Sequence, residues 1–332
     1  MVKLRIIGLG KMGGYHATIA ASLPNVELVG VSDPITKNLE KITLKNCIKS
    51  TDYNTWINLV DAVIIAVPTG LHFNIAKDCL LKNKSILIEK PLTKTLTQAE
   101  ELFAIAHERN LGLHVGHVER FNGAVQELKK IINKPYFIES HRIGPFAPRV
   151  QDDTVILDLM IHDLDIILNL VGSPVVKFNV LGTTLKSELC DLATVQLYFE
   201  NGAIAHLISS RASQIKKRTM VIHQEDAFIE LDFTTQDILI HRHASASVKI
   251  GNNELHYRQE GTIERIFVYK ENPLKAEIEH FINAIKTGSK LIQPQQDLDA
   301  LKLTLALEEM VLEGNNKSPE SWTSTGQKPL LL

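Results

Sequence analysis

The chain opens on a stretch that leaves few folds available. Val2 to Ile7 is apolar and β-branched and reads as a buried strand. It runs directly into Gly8-Leu-Gly10-Lys11-Met12-Gly13-Gly14, and Tyr15 to Leu23 then has helical composition. Strand, glycine turn and helix start in immediate succession make a dinucleotide-binding unit. Gly8 permits the tight turn, Gly10 lets the backbone approach a pyrophosphate, and Gly13 lets helix and strand pack closely. The first helical turn points unpaired N–H groups at the phosphates. A glycine pattern alone also fits an ordinary turn. Here a second apolar run, Val26 to Val31, ends at Ser32-Asp33, twenty residues after Gly13. An acid there accepts from the adenosine ribose hydroxyls and repels the 2′-phosphate of NADP, so NAD is the expected cofactor and NADP the lesser one.

Alternation continues for about a third of the chain. Polar helices are expected over Ile35 to Lys45 and Asp52 to Leu59. Asp61 to Val67 is a buried strand stopped by Pro68, and a helix follows to about Leu81. The strand Lys84 to Ile88 ends at Glu89-Lys90-Pro91. Thr97 to Asn110 is a helix with Thr97 and Glu100 placed as a capping box. Leu111 to Gly116 is a last strand. Apolar strands alternating with helices predict a doubly wound Rossmann domain over residues 1–118.

From there the pattern changes. Asn122 to Ile132 reads as helix, Tyr136 to Ile143 as strand, and Leu157 to Val171 as an apolar helix. Consecutive strands follow between Val175 and Tyr269, with hairpin signals at Asn201-Gly202 and Gly251-Asn252-Asn253, then helices at Pro273 to Lys286 and Asp297 to Leu312. The expected fold is an α/β Rossmann domain plus an α+β domain, residues 119–332, with a large, mainly antiparallel open sheet. One face of such a sheet is left for a partner, so a homodimer or homotetramer is expected.

Composition excludes several functions. A length of 332 residues with 44% hydrophobic and 22% charged residues supports two globular domains. The formal charge of −2, spread evenly, offers no basic face for nucleic acid. Cys47, Cys79 and Cys190 have neither zinc spacing nor a disulfide framework, and no metal is expected. No apolar run would span a bilayer, a leader is not expected, and the cytoplasm is the expected compartment.

With the glycine turn, Glu89-Lys90-Pro91 and Asp158-Leu-Met-Ile-His162 in view, the chain resembles the glucose–fructose oxidoreductase / inositol dehydrogenase (Gfo/Idh/MocA) family over nearly its whole length. It departs from that pattern at Asp153-Thr154 and Met160-Ile161, where the wider family often has glycines. Val115 to Asn122, Arg142 to Arg149, His162 to Asp165 and Glu271 to Glu277 look most like the branch of UDP-N-acetylglucosamine 3-dehydrogenases.

The resemblance implies an NAD-dependent dehydrogenase that oxidises a ring hydroxyl of a sugar to a ketone, the favoured position being C3 of a UDP-N-acetylhexosamine. A free sugar or inositol dehydrogenase is the alternative within the class; a non-catalytic dinucleotide-binding regulator is the alternative outside it. Lys90 follows a strand end, where doubly wound sheets place ligands, and would hydrogen-bond the substrate hydroxyl. His162 would be the general base. Asp158, one helical turn earlier and on the same face, would orient it or bind substrate. Their structural alternative is mutual pairing inside a buried helix. Asp163 and Asp165 point elsewhere and are expected to make structural contacts. Pro68, Thr69 and His72 are placed to touch ribose or nicotinamide, unless Thr69 merely caps a helix and His72 is a surface residue. Glu89 would contact the cofactor. His117 and Arg120 would face substrate or brace the hinge. Arg149 and Lys216-Lys217-Arg218 are candidates to meet a diphosphate, or else a solvated face.

Overall fold

The computed structural model describes residues 1–44, 47–146, 153–251, 254–288 and 294–316, with the main chain alone over 243–251, 254–260 and 314–316. The first layer contains β1 (Val2–Ile7), α1 (Lys11–Ser22), β2 (Val26–Ser32), α2 (Thr36–Glu40), β3 (Ile48–Ser50), β4 (Ala62–Ile65), α3 (Thr69–Leu81), β5 (Ser85–Glu89), α4 (Leu96–Glu108) and β6 (Leu113–Gly116). All its strand pairs are parallel, in the order β3-β2-β1-β4-β5-β6. The order reverses between β1 and β4, the place where open α/β sheets bind ligands beyond their strand ends. Every residue of β4 is fully buried, as helices on both faces require.

The second layer is built from α5 (Gly123–Ile131), β7 (Phe137–Ile143), a wide turn at Ile156–Met160, α6 (Ile161–Val171), β8 (Val175–Thr183), β9 (Leu192–Phe199), β10 (Ile204–Ser210), β11 (Lys217–Gln224), β12 (Ala227–Asp232), β13 (Asp237–Gly251) and β14 (Glu254–Ile266). Its strands run β14-β13-β12-β11-β7-β10-β9-β8. The β7–β10 pair is parallel and the others are antiparallel. Ile138, Leu197, Leu207, Met220, Ile222 and Ile229 point from this sheet into a core shared with α5, α6 and α8. Two final helices, α7 (Pro273–Thr287) and α8 (Pro294–Asn316), return to the first layer. Leu274, Ile278 and Phe281 of α7 pack with Ile6, Leu9 and Ala17, and Leu301 of α8 joins the core beneath α3 and α4. The Rossmann layer thus takes part of its core from helices that the 119–332 boundary assigns to the second domain.

Several expected elements are shorter or displaced. The helix expected over Ile35 to Lys45 is confined to α2, since β-branched Ile42 and Thr43 do not favour its extension. Asp52 to Leu59 contains one tight turn, Ile57–Leu59, because Trp56 sits at φ +67°, a left-handed conformation that interrupts a right-handed helix. The cap of α4 is Thr95, whose Oγ1 accepts from Gln98 N–H at 3.3 Å, not Thr97. Thr95-Leu-Thr-Gln98 has the same S/T-x-x-Q spacing two residues earlier. From Asp237 to Gly251 the chain forms one long strand, β13. Its pairing with β14 shifts register between His243 and Ser245. The turn signal at Asn252-Asn253 lies outside the described residues, as does every residue after Asn316.

Candidate active site

The glycine turn has the geometry its spacing predicts. Gly8 sits at φ +88°, and a Cβ there would lie 2.4 Å from the Ala66 carbonyl oxygen; one on Gly13 would lie 1.9 Å from the Gly8 oxygen. Side chains at these positions are sterically barred. A methyl placed on Gly10, which caps α1, would meet no atom within 4 Å. Open space in front of a helix N-terminus suits a diphosphate. Lys11 is exposed, its Nζ 5.9 Å from the Tyr15 ring centroid, and Met12 packs against the α1 core. Asp33 ends β2 and folds back on the turn: Oδ2 accepts from Leu9 N–H at 2.7 Å and Oδ1 from Ile35 N–H at 2.8 Å. The residues present therefore fit a dinucleotide, with Gly8, Gly10, Gly13 and Asp33 shaping its adenosine and diphosphate side.

Beyond β4 and β5 the chain builds the opposite wall. Pro68 caps α3 without a side-chain bond. Thr69 does not cap that helix either; its Oγ1 donates to Asp153 Oδ2 at 3.3 Å, across to the second layer. His72 is not a surface residue. It is 1% exposed, with Nδ1 2.8 Å from the Pro91 oxygen and Nε2 2.9 Å from the Val67 oxygen. Burial pulls its pKa down against those carbonyls. The ring thus ties the end of β4 to the turn that carries Lys90. Glu89 Oε1 pairs with His16 Nε2 of α1 at 2.7 Å.

Lys90 meets the second layer directly. Its Nζ donates to the main-chain oxygen of Asp158 at 2.5 Å and lies 3.4 Å from Asp158 Oδ1. Asp158 lies in the wide turn Ile156–Met160, where the helix repeat loosens. His162 follows in the first turn of α6. Its Nδ1 is enclosed and has no hydrogen-bond partner among the described residues. Its pKa is held well below 6.5, first by burial and then by the positive charges of Lys90 and Arg142. The imidazole is therefore neutral, half-buried, and close to the Lys90 ammonium. Lys90, Asp158 and His162 come together at the seam between the layers.

His117 and Arg120 behave differently from each other. His117 is buried, its Nδ1 3.9 Å from Asp165 Oδ2 and its Nε2 3.9 Å from Asp297 Oδ1, and burial pulls its pKa down to about 3. It also feels the Lys90 charge. Arg120 is fixed by both oxygens of Asp165 and by Asp297 Oδ1 at 2.7 Å, joining the Val118–Phe121 turn to α6 and α8. That geometry is a brace between elements. Asp163 likewise holds Arg142, Oδ2 to Nε at 2.9 Å and Oδ1 to Nη2 at 2.8 Å. Arg149 lies outside the described residues. Sequence reasoning passed over His16, His114 and the role of Glu277. Glu277 is fully enclosed, neither carboxylate oxygen having a hydrogen-bond partner among the described residues, with Oε1 3.6 Å from His114 Nε2. No periodicity marks such groups; only the return of α7 onto α1 brings them together. Among the described residues no group of three or more His, Cys, Asp or Glu side chains is arranged to hold a metal, and no helix is long and apolar enough to cross a membrane.

Comparison with known proteins agrees with this architecture. Residues 2–117 match a family described as "Oxidoreductase family, NAD-binding Rossmann fold", and residues 132–230 match the Gfo/Idh/MocA C-terminal domain. The UDP-N-acetylglucosamine 3-dehydrogenase of Acidithiobacillus ferrooxidans is 33% identical over 299 residues, 86% of this chain and 90% of that protein. The scyllo-inositol 2-dehydrogenase (NAD(+)) of Bacillus subtilis is 28% identical over 64% of this chain and 68% of that protein. A solved structure of the Acidithiobacillus enzyme superposes with a TM-score of 0.83 at 30% identity, covering 93% of this chain and 97% of that one. The chain belongs to the Gfo/Idh/MocA family of oxidoreductases, and its first domain is that family's NAD-binding Rossmann fold.

Proposed function

We propose that this protein oxidises a ring hydroxyl of a sugar to a ketone, its substrate being a UDP-N-acetylhexosamine attacked at C3. The observation that carries the reading is the contact of Lys90 with Asp158, which brings an ammonium and a neutral imidazole to one seam beyond the β5 strand end. The likeness to a UDP-N-acetylglucosamine 3-dehydrogenase over most of both chains supports the choice of substrate.

Lys90 Nζ uses part of its donor capacity on Asp158 and has a proton left for the substrate hydroxyl, which it orients and whose developing negative charge it stabilises. His162 is unprotonated and takes the hydroxyl proton. Asp158 holds the ammonium in place through its main-chain oxygen. NAD, when bound, supplies the redox chemistry by accepting the hydride. Asp33 at the ribose end favours NAD over NADP. His117, behind the seam, lines the substrate side, while Arg120 keeps the layers in register. The exposed face of the second sheet, carrying Tyr198, Ile204, His206 and Phe228, is the surface for a second copy. The protein works in the cytoplasm.

The test is NADH absorbance with purified protein, NAD and a panel of UDP-N-acetylglucosamine, UDP-N-acetylgalactosamine, free N-acetylglucosamine and inositols. Turnover of a UDP-linked sugar with product oxidised at C3 is expected. Turnover of an inositol alone would replace the substrate reading. NAD binding without turnover on any substrate would favour the regulator.

A further inference from the structure

A second cavity adjoins the reaction centre. It measures about 200 Å³ and is lined by Arg142, Gly144, Asp158, Ser210, Lys216 and Arg218, among others. A pocket for a whole small ligand usually has roughly 300–1,000 Å³, so this one is too small for an entire nucleotide-linked sugar. Asp158 lines it and also contacts Lys90, so it adjoins the seam.

The charges of this cavity are unevenly matched. Register pairs Arg142 of β7 with Arg218 of β11 and with Ser209 of β10, so the three form one row across the sheet on the same face. Arg142 is satisfied: Asp163 takes two of its nitrogens and Glu119 a third at 2.8 Å. Arg211 also has its nitrogens engaged, by Asp191, the Asp153 main-chain oxygen and Ser187. Arg218 is not. Its nearest carboxylate oxygen, Glu119 Oε1, lies 4.0 Å away and already accepts from Arg142. Lys216 is exposed and has no ion pair among the described residues. The Asp158 carboxylate is offset by the Lys90 ammonium 3.4 Å from it. Two cations without full counter-charge therefore face a small cavity beside the reacting groups. Ser209 Oγ of the same row is buried with no hydrogen-bond partner among the described residues.

We propose that this cavity is a diphosphate subsite in which Arg218 and Lys216 bind the pyrophosphate of a nucleotide-linked sugar while the sugar ring lies at Lys90 and His162. A guanidinium offers paired donors that match phosphate oxygens, and the lysine adds a mobile point charge. Burial and the adjacent Arg142 charge disfavour the Arg218 cation in the free protein, so an arriving anion relieves a strained charge. The subsite makes the nucleotide part of the substrate a requirement for tight binding and sets this chain against free sugars and inositols. The assignment rests on the proposed nucleotide-sugar reading for its physiological ligand, but not for its measurement.

The experiment uses the full chain with NAD bound and titrates UDP and inorganic pyrophosphate by calorimetry, for wild type, Arg218→Gln, Lys216→Gln and the double variant. Wild type binds both anions. Each substitution weakens them by roughly tenfold or more, the scale of one charge-assisted hydrogen bond, and NAD affinity does not move. Arg218→Lys recovers part of the loss. With UDP-N-acetylglucosamine, KM rises while kcat stays near wild type, because the contact is equal in ground and transition states. Equal anion affinity in wild type and double variant, or no binding of either anion by wild type, overturns the subsite. Anion binding through Arg218 without turnover of any UDP-sugar leaves the subsite standing and removes the substrate assignment. Turnover with KM unmoved by both substitutions does the reverse.

Discussion

The Lys90 ammonium is bonded to the backbone of Asp158 more closely than to its carboxylate, 2.5 Å to the main-chain oxygen against 3.4 Å to Oδ1. A side-chain substitution at Asp158 therefore leaves the shorter contact in place, and the two residues should differ in mutational cost. Lys90→Met should lower kcat by about 10²–10⁴-fold, the usual worth of a positioned proton or charge donor. NAD affinity, measured by fluorescence titration, should change little. Asp158→Asn should cost clearly less than Lys90→Met. Equal losses would mean that the carboxylate acts on the substrate rather than through the lysine.

His162 gives a prediction in pH. Burial first, then Lys90 and Arg142, holds its imidazole well below 6.5. A base must be unprotonated to act, and this one remains so as pH falls through the range where a free histidine charges. The acid limb of kcat/KM for sugar oxidation should accordingly lie below pH 6.5, and His162→Asn should lower kcat by about 10²–10⁴-fold and abolish that limb. A limb at 6.5 or above that persists in the Asn variant would assign it to another group.

The Rossmann layer was legible because its determinants are local. Gly8, Gly10 and Gly13 answer to sterics within one turn, and β4 declares its burial by having no polar residue from Ala62 to Ile65. The second layer was legible in class, since period-two alternation survives in β7, β9 and β12. Its details depend on partners distant in sequence. Arg120 read equally as a substrate ligand or a brace, and only Asp165 and Asp297, the latter 177 residues away, decide its geometry. His72 read equally as a cofactor contact or a surface residue, because nothing local says that the Pro91 carbonyl will cover it. The Asp158–His162 spacing was read as a regular helix, and the wide turn between them is a response to packing at the seam. At the α4 cap the signal was present but Thr97 competed with Thr95 for it.

Asp33 is expected to serve two masters, and substitution should expose both. Its carboxylate accepts from Leu9 and Ile35 N–H groups, so it fixes the glycine turn, and on the proposed reading it also meets the cofactor ribose. Asp33→Ala leaves two backbone donors without these partners and should destabilise the protein by about 1–3 kcal/mol. It should also weaken NAD and narrow the preference over NADP. Denaturant unfolding and cofactor titration measure the two effects separately. A stable variant with unchanged cofactor preference would remove the ribose assignment.

Glu277 carries the last prediction. Its carboxyl is buried on α7 against the first layer, with no hydrogen-bond partner on either oxygen among the described residues. Burial first, then the Glu89 charge, raises its pKa well above the ordinary 4.5, while His16 and Arg120 pull the other way. The folded protein therefore keeps a proton that the unfolded chain releases. Its stabilising effect is complete below pH 4.5 and is lost as pH rises through the folded value, at up to about 1.4 kcal/mol per pH unit within that window. His114 and His117, lowered by burial to about 4 and about 3, run in the opposite sense and cost stability as pH falls below 6.5. Glu277→Gln removes the carboxyl titration and leaves those histidines in place. The difference in unfolding free energy between variant and wild type isolates it. That difference should shift in favour of the variant from pH 5 to pH 8, read by urea unfolding at each pH. A difference that does not vary with pH would show that Glu277 is ionised in the folded protein, and that something other than a proton satisfies it.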